Sequence, residues 1–275
     1  EGRATSSIRE ALGTVTRCME SARNNRIIEI NPCFDIQVPW EKKNVNRRFL
    51  TVDEQNTFME EAENNWYKEM FYVMLHTGLR VGEVGGLKWV DVDFDNKCIN
   101  VRQSLSCNYY KGVKKQCLTT LKTQNSYRKI PFIGDMEEML LSQKEKQNTL
   151  KKELKDRYRS TGEFEDLVFC TSMGSPISRY VAEKEINKVV AAINYEETIN
   201  AALEHREPEV FEKVYPHALR HTFCSRCFEK GIAPKVVQAL MGHAHYSTTI
   251  DIYTHVTEDK MGEELEKFQE VMKNQ

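Results

Sequence analysis

Apolar residues along this chain recur mainly at three- and four-residue steps, the spacing of amphipathic helices, with short strand-like stretches mainly between Cys98 and Phe132. Ile8, Leu12, Val15, Met19 and Ala22 share one face behind a Ser7-x-x-Glu10 capping box, which predicts a helix to about Arg26. Asn31-Pro32 and Pro39 punctuate an extended stretch, and Lys42, Lys43, Arg47 and Arg48 form a basic run before Leu50 that reads as a linker. Thr51-x-x-Glu54 is a second capping box, and Tyr67, Met70, Phe71, Met74 and Leu75 carry a helix into Gly78. Strands are expected at Cys98–Val101, Cys117–Leu121 and Arg128–Phe132, forming one small antiparallel sheet, with a turn at Asn125-Ser126. Met136, Leu140, Gln143, Leu150 and Leu154 mark a helix that becomes highly charged, and Leu167–Phe169 reads as a short buried strand. A helix follows Ser178 to about Ile193, and the acidic stretch Tyr195–Val214 reads as an insertion. Further helices are expected through Phe223 and Phe228, from Pro234 to Gly242, and from Ser247 to about Thr254. Met261, Leu265, Phe268 and Met272 place an apolar stripe on a tail helix. The fold class is mainly α with a small antiparallel β-sheet (α+β).

The composition, 275 residues with 29% charged and 40% hydrophobic, suits a globular chain. No run reaches the roughly 18 apolar residues of a membrane helix, and no collagen-like repeat occurs, so no membrane partner is expected. Eight scattered cysteines and an opening that does not read as a signal peptide point to a reducing, cytoplasmic setting rather than a disulfide scaffold. The net charge of −2 hides an uneven distribution. Residues 101–131 carry seven basic groups and no acidic one, and residues 1–50 carry nine against six. Acids concentrate at 51–70, 195–214 and 257–275, so one surface can be strongly positive and suited to nucleic acid.

Three separated places concentrate groups that handle phosphate. Thr77-Gly78-Leu79-Arg80 joins two helices, His217 and Arg220 share a helix face, and His243 follows Gly242 with Tyr253 on the next helix. Guanidinium groups match phosphate oxygens and stabilise a pentacoordinate transition state. Histidines move protons near neutral pH, and a tyrosine hydroxyl becomes a nucleophile when a base or nearby cations favour the phenolate.

These residues carry a resemblance to the tyrosine recombinases of the phage-integrase type, closest in appearance to conjugative-transposon integrases. It rests on His76-Thr77-Gly78-Leu79-Arg80-Val81-Gly82-Glu83, on Pro216-His217-Ala218-Leu219-Arg220-His221-Thr222-Phe223, and on Leu240-Met241-Gly242-His243 continuing through Thr248-Thr249 to Tyr253-Thr254-His255. The resemblance implies that Arg80 and Arg220 clamp the scissile phosphate, that His217 assists as general base, that His243 hydrogen-bonds the phosphate, and that Tyr253 is the nucleophile. A hairpin lysine that protonates the leaving 5′ oxygen maps to Lys122, with Lys114, Lys115 and Lys129 nearby. Glu83 would support the site. The implied reaction is strand cleavage and rejoining through a 3′-phosphotyrosyl link, integrating or excising a mobile element with no cofactor, neither ATP nor metal.

The implied organisation is the C-terminal part of a helical core-binding domain (1–40), a basic linker (41–50), a catalytic domain (51–256) and a tail helix (257–275), which either packs as core or docks on a neighbouring protomer. Implied partners are double-stranded DNA, other copies of the chain in a dimer-to-tetramer synapse, and an excisionase or DNA-bending protein. The expected location is the bacterial cytoplasm, on the nucleoid when bound to DNA. DNA contacts are expected from Lys42, Lys43, Arg47, Arg48, Lys114, Lys115 and Arg128.

Competing readings attach to several of these residues. His217, His221, Cys224 and Cys227 invite a zinc reading, but all four belong on one continuous helix, whereas a tetrahedral site draws ligands from at least two elements. Cys224 and Cys227 are expected as small packed residues. Arg80 alone could simply pair with Glu83, and Tyr246 competes with Tyr253. At the level of function, a type IB topoisomerase shares the nucleophile and arginines, and a non-catalytic DNA-binding protein could share the fold.

Overall fold

The chain is described by a computed structural model over residues 5–39, 48–110, 112–121 and 123–254, in two units divided at 46/47. In the first unit, α1 (Thr5–Asn24) is followed by a turn in which Arg26 takes φ +58°. The buried Asn31 ties the following stretch to α1: its amide donates to the Thr16 carbonyl (3.2 Å) and to Glu20 Oε2 (3.1 Å), and its oxygen accepts from the Cys33 N–H (2.9 Å). Because α1 already includes Thr5, Ser7 and Glu10 lie inside the helix and cannot form its cap. Ile8 and Val15, on the expected apolar stripe, are exposed within this unit.

The second unit begins where the other capping box does operate. Glu54 N–H donates to Thr51 Oγ1 (3.2 Å) and Thr51 N–H to Glu54 Oε2 (2.8 Å), starting α2 (Val52–Glu61). α3 (Lys68–Thr77) is apolar on nearly every side, as a helix through the middle of a core must be. It ends at Gly78, which takes φ +61°, and α4 (Val81–Gly85) follows directly.

Two small sheets replace the single one expected. β1 (Val92–Asp93), β2 (Cys98–Val101) and, later in the chain, β5 (Arg128–Pro131) pair antiparallel in the order β1-β2-β5, with Ile99 opposite both Val92 and Ile130. β3 (Gln103–Tyr110) and β4 (Val113–Thr120) form a separate hairpin. The hairpin packs apart from the first sheet, where Gly82 and Gly85 of α4 and Gly86 just after it let β3 approach closely. A Cβ on Gly86 would lie 2.9 Å from Leu105 N, and Gln103 donates to the Gly86 carbonyl at 2.7 Å.

α5 (Met136–Leu154) buries Gln143 and Gln147, whose amides bond the carbonyls of Val168 and Leu167 (2.7 Å each). Side chains thus satisfy backbone that a ladder would otherwise serve. The expected strand at 167–169 is accordingly a buried extended segment, bridged only at Lys88–Leu167 and Cys170–Pro176. α6 (Arg179–Glu204) runs past Ile193 through half of the expected insertion. No Gly or Pro interrupts 195–204, and Ala201 is buried. α7 (Pro216–Glu229) and α8 (Pro234–Met241) each start with proline in the first turn, and α9 is described over 246–254. Phe223, Cys224, Cys227, Phe228, Val237, Met241 and Ile252 form a small core joining these three helices. Among the described residues no helix is long and apolar enough to cross a membrane. The basic residues Lys42, Lys43 and Arg47 and the tail stripe lie outside the described residues.

Candidate active site

The last turn of α8 leaves carbonyls without intrahelical partners at the negative end of its dipole. Three arginines from three other elements bind them. Arg128 Nε donates to the Leu240 carbonyl (2.6 Å), Arg220 donates to that of Met241, and Arg80 donates to that of Gly242 (3.1 Å). Arg220 also donates to the carbonyl of Gly78, so one buried guanidinium joins the ends of α3 and α8, both closed by glycines at φ +61°.

Glu83 is the counter-charge. Its carboxylate, 2% exposed, accepts from Arg80 Nη1 (2.7 Å), from Arg80 N–H (2.8 Å) and from both terminal nitrogens of Arg128 (2.9 and 3.2 Å). Burial alone would raise its pKa, but the bonds and charge of Arg128, then the charge of Arg80, outweigh it and hold the carboxyl at about 2. Arg220 is pushed down to about 9 by burial and by Arg80, and stays charged at neutral pH. One carboxylate facing three guanidiniums leaves a net positive site, suited to an anion.

The histidines are held neutral. Burial, then the charges of Arg220 and Arg80, drive His243 down to about 3. Its Nδ1 lies 2.9 Å from the hydroxyl of the buried Thr249; when that hydroxyl donates, Nε2 carries the ring proton and can offer it to a phosphate oxygen. His217, on the first turn of α7 with its ring open to solvent, is lowered by partial burial and by Arg220, Arg179 and Arg80, against an opposing pull from Glu83. A lowered imidazole remains able to accept a proton at neutral pH.

Arg80, Arg220 and His243 therefore come together, with His217 within their field. Tyr253 lies on α9 with its ring edge-on to Phe228 at 5.0 Å, on the α7 segment roughly 12 Å along the helix axis from Arg220. Lys122 lies outside the described residues; its neighbours Leu121 and Thr123 line a cleft of about 360 Å³ beside Arg80 and Glu83. Tyr246 sits under the Lys235 ammonium, 5.8 Å from ring centre to nitrogen. Cys224 and Cys227 pack in the small core, and all four residues of the zinc-like pattern lie on α7.

Two residues expected at a DNA surface are placed elsewhere. Arg128, 6% exposed, is committed to Glu83 and α8, because it shares the inward face of β5 with Ile130 while Lys129 points out. Arg48 is held by Glu54 (2.6 Å) and Glu212 (3.3 Å) at the start of the second unit. Lys115 is exposed on β4. Thr249, the partner of His243, had no assigned role in sequence; its place one turn before Tyr253 was the available signal.

Residues 48–260 match the phage integrase family. The tyrosine recombinase XerC-like protein of Caldanaerobacter subterraneus is 27% identical over 266 residues, covering 93% of this chain and 64% of that protein. The transposase from transposon Tn916 of Enterococcus faecalis is 24% identical over 242 residues, covering 85% and 54%. In fold, a structure of the Tn1549 transposon integrase in complex with transposon right end DNA superposes with TM-score 0.71 at 25% identity, covering 97% of this chain and 80% of that one. The chain thus spans between about half and two thirds of the length of these curated relatives.

Proposed function

The chain belongs to the phage integrase family, and on that premise we propose that it is a site-specific DNA recombinase that cleaves and rejoins double-stranded DNA by transesterification. Arg80 and Arg220 take two oxygens of the scissile phosphate. Tyr253 attacks phosphorus through its phenolic oxygen while His217 accepts the phenolic proton. The bond from phosphorus to the 5′ oxygen breaks, and Lys122 protonates the departing oxygen. The products are a 3′-phosphotyrosyl link and a free 5′ hydroxyl. A 5′ hydroxyl from a second duplex reverses each transfer, so the bond energy is conserved through the covalent intermediate. His243 donates from Nε2 to a phosphate oxygen.

The observation that carries this reading is the set of three guanidiniums bound to the end of α8 with a neutral His243 beside them. Positive charge is fixed before any ligand arrives, so little reorganisation is needed as charge builds in the transition state. Two copies exchange one strand of each paired duplex to give a four-way junction, and a second exchange resolves it to integrate or excise a mobile element, with the copies assembling as a dimer or tetramer on DNA and an excisionase or DNA-bending protein as the accessory class.

Nicked duplexes spanning candidate element ends test it. Wild type should form a covalent adduct that survives denaturing electrophoresis, and Tyr253→Phe should abolish it while DNA affinity stays within about twofold. Wild-type protein that binds these duplexes and forms no adduct would overturn the reading.

A further inference from the structure

α6 runs on past the core. Up to Ile193 its inner face buries Ala182, Ile186, Val189, Val190 and Ile193, but over 195–204 the one buried residue is Ala201. That last stretch is nonetheless apolar on its outside. Tyr195, Ile199 and Leu203, four residues apart, stand 72%, 44% and 75% exposed, with Ala202 exposed beside them. At about 100° per residue these side chains fall opposite Val190, Ile193 and Ala201, in a stripe about 12 Å long. The helix thus carries two apolar faces, and only the inner one is covered.

Glu196 and Asn200 separate the stripe from a cleft of about 350 Å³ between α6 and α2, which Glu60 and Glu61 also line. Residues 189–204 hold Glu196, Glu197 and Glu204 and no lysine or arginine. Arg206 engages Glu197 and Glu204, whereas Glu60, Glu61 and Glu196 form no ion pair among the described residues. The surface is also fixed in place. Glu197 accepts from the Glu209 N–H (2.9 Å), and Asn194 exchanges two bonds with the Phe211 backbone (2.8 and 3.0 Å), tying the chain after α6 back along the helix. A face held in this way loses little freedom when a partner binds.

Charge selects the occupant. The carboxylates repel a phosphate backbone, so this is not a DNA surface. A second copy presenting the same face would set like charges against each other. An apolar stripe at i, i+4 and i+8, bordered on one side by carboxylates without cationic partners, fits a helix of the opposite pattern. The geometry points to this end of α6, with the α2 cleft, as the docking site for a cationic amphipathic helix of a different protein. Its apolar side chains cover Tyr195, Ile199 and Leu203, and lysines or arginines on one flank reach Glu60, Glu61 and Glu196. The site uses none of the residues assigned to strand cleavage.

Fluorescence anisotropy tests it with a labelled peptide of about 18 residues, long enough to span the stripe, with leucines on one helical face and lysines on the flanks. A scrambled peptide of the same composition is the control. The full chain should bind the patterned peptide at least about tenfold more tightly than the scrambled one. Ile199→Ser with Leu203→Ser should weaken binding about thirtyfold, and Leu203→Met alone should bind like wild type. Glu60→Gln, Glu61→Gln and Glu196→Gln together should weaken it about three- to tenfold and flatten its salt dependence. Each variant should melt with wild type and form the same Tyr253 adduct on nicked duplexes, so a wild type without adduct bears on the cleavage reading alone. Equal binding of the two peptides, or unchanged binding by the double serine variant, would overturn the proposal. So would wild-type self-association in sedimentation that the same variant abolishes, because a second copy would then be the occupant.

Discussion

Glu83 shows how one buried carboxylate can hold a cluster of cations together, accepting from Arg80 and Arg128 at once. Removing Arg128 would leave a buried carboxylate with Arg80 alone and free the Leu240 carbonyl. Arg128→Ala should therefore cost about 3–5 kcal/mol in urea unfolding. A loss under about 1 kcal/mol would mean that Arg80 suffices. The same carboxylate makes the protein acid-sensitive. Its pKa falls from 4.5 unfolded to about 2 folded, so its stabilisation is complete above the upper value and lost as pH falls through the lower. The magnitude is on the order of 3 kcal/mol, and Glu83→Gln should flatten that part of the stability–pH curve. His243 has the same sign: lowered from 6.5 to about 3, it favours the folded state above the first value and opposes it increasingly as pH falls toward the second. Its ring resonances should remain those of neutral imidazole at about pH 5 in the folded protein.

At the scale of elements, the site is a meeting of helix ends. α3 and α8 both stop at left-handed glycines, and Arg220 binds a carbonyl at each. At Gly78 a Cβ would stand 2.5 Å from the Phe223 ring and 2.7 Å from Met241 Sδ, in a conformation that side chains rarely adopt. Gly78→Ala should lower stability by about 2–4 kcal/mol in thermal or urea unfolding, combining left-handed strain with overpacking. By contrast Thr51→Ala, which removes the cap that starts α2, should cost only about 1 kcal/mol. Helix stops were legible because glycine marks them locally. The extension of α6 to Glu204 was not, since its acidic sequence masked a helix whose buried side is sparse.

At the scale of the molecule, charge is partitioned rather than excessive. The chain carries −2 overall, yet 101–131 holds seven basic residues and no acid, including the exposed Lys115. Neutralising Lys114 and Lys115 together should weaken binding to every DNA sequence and reduce the salt slope by about 1–2. An unchanged slope would remove the hairpin from the general DNA-contacting surface.

By itself the sequence determined the helix-rich class, most helix boundaries and the ordered phrases around Arg80, Arg220, His243 and Tyr253, because caps, glycine stops and short motifs are local in the chain. It also carried the alternation that puts Arg128 and Ile130 on one face of β5, although the basic type of Arg128 suggested a surface role. Only the tertiary structure decided that Arg128 turns inward to Glu83, that Arg48 is bound by Glu54 and Glu212, and that the hairpin leaves the sheet to rest on α4. Those outcomes depend on partners 45 or more residues away for Arg128 and on how closely two backbones can approach at Gly82 and Gly86. A charge run along the sequence reports residue type; whether each charge faces DNA or a buried carboxylate is settled by which distant elements fold against it.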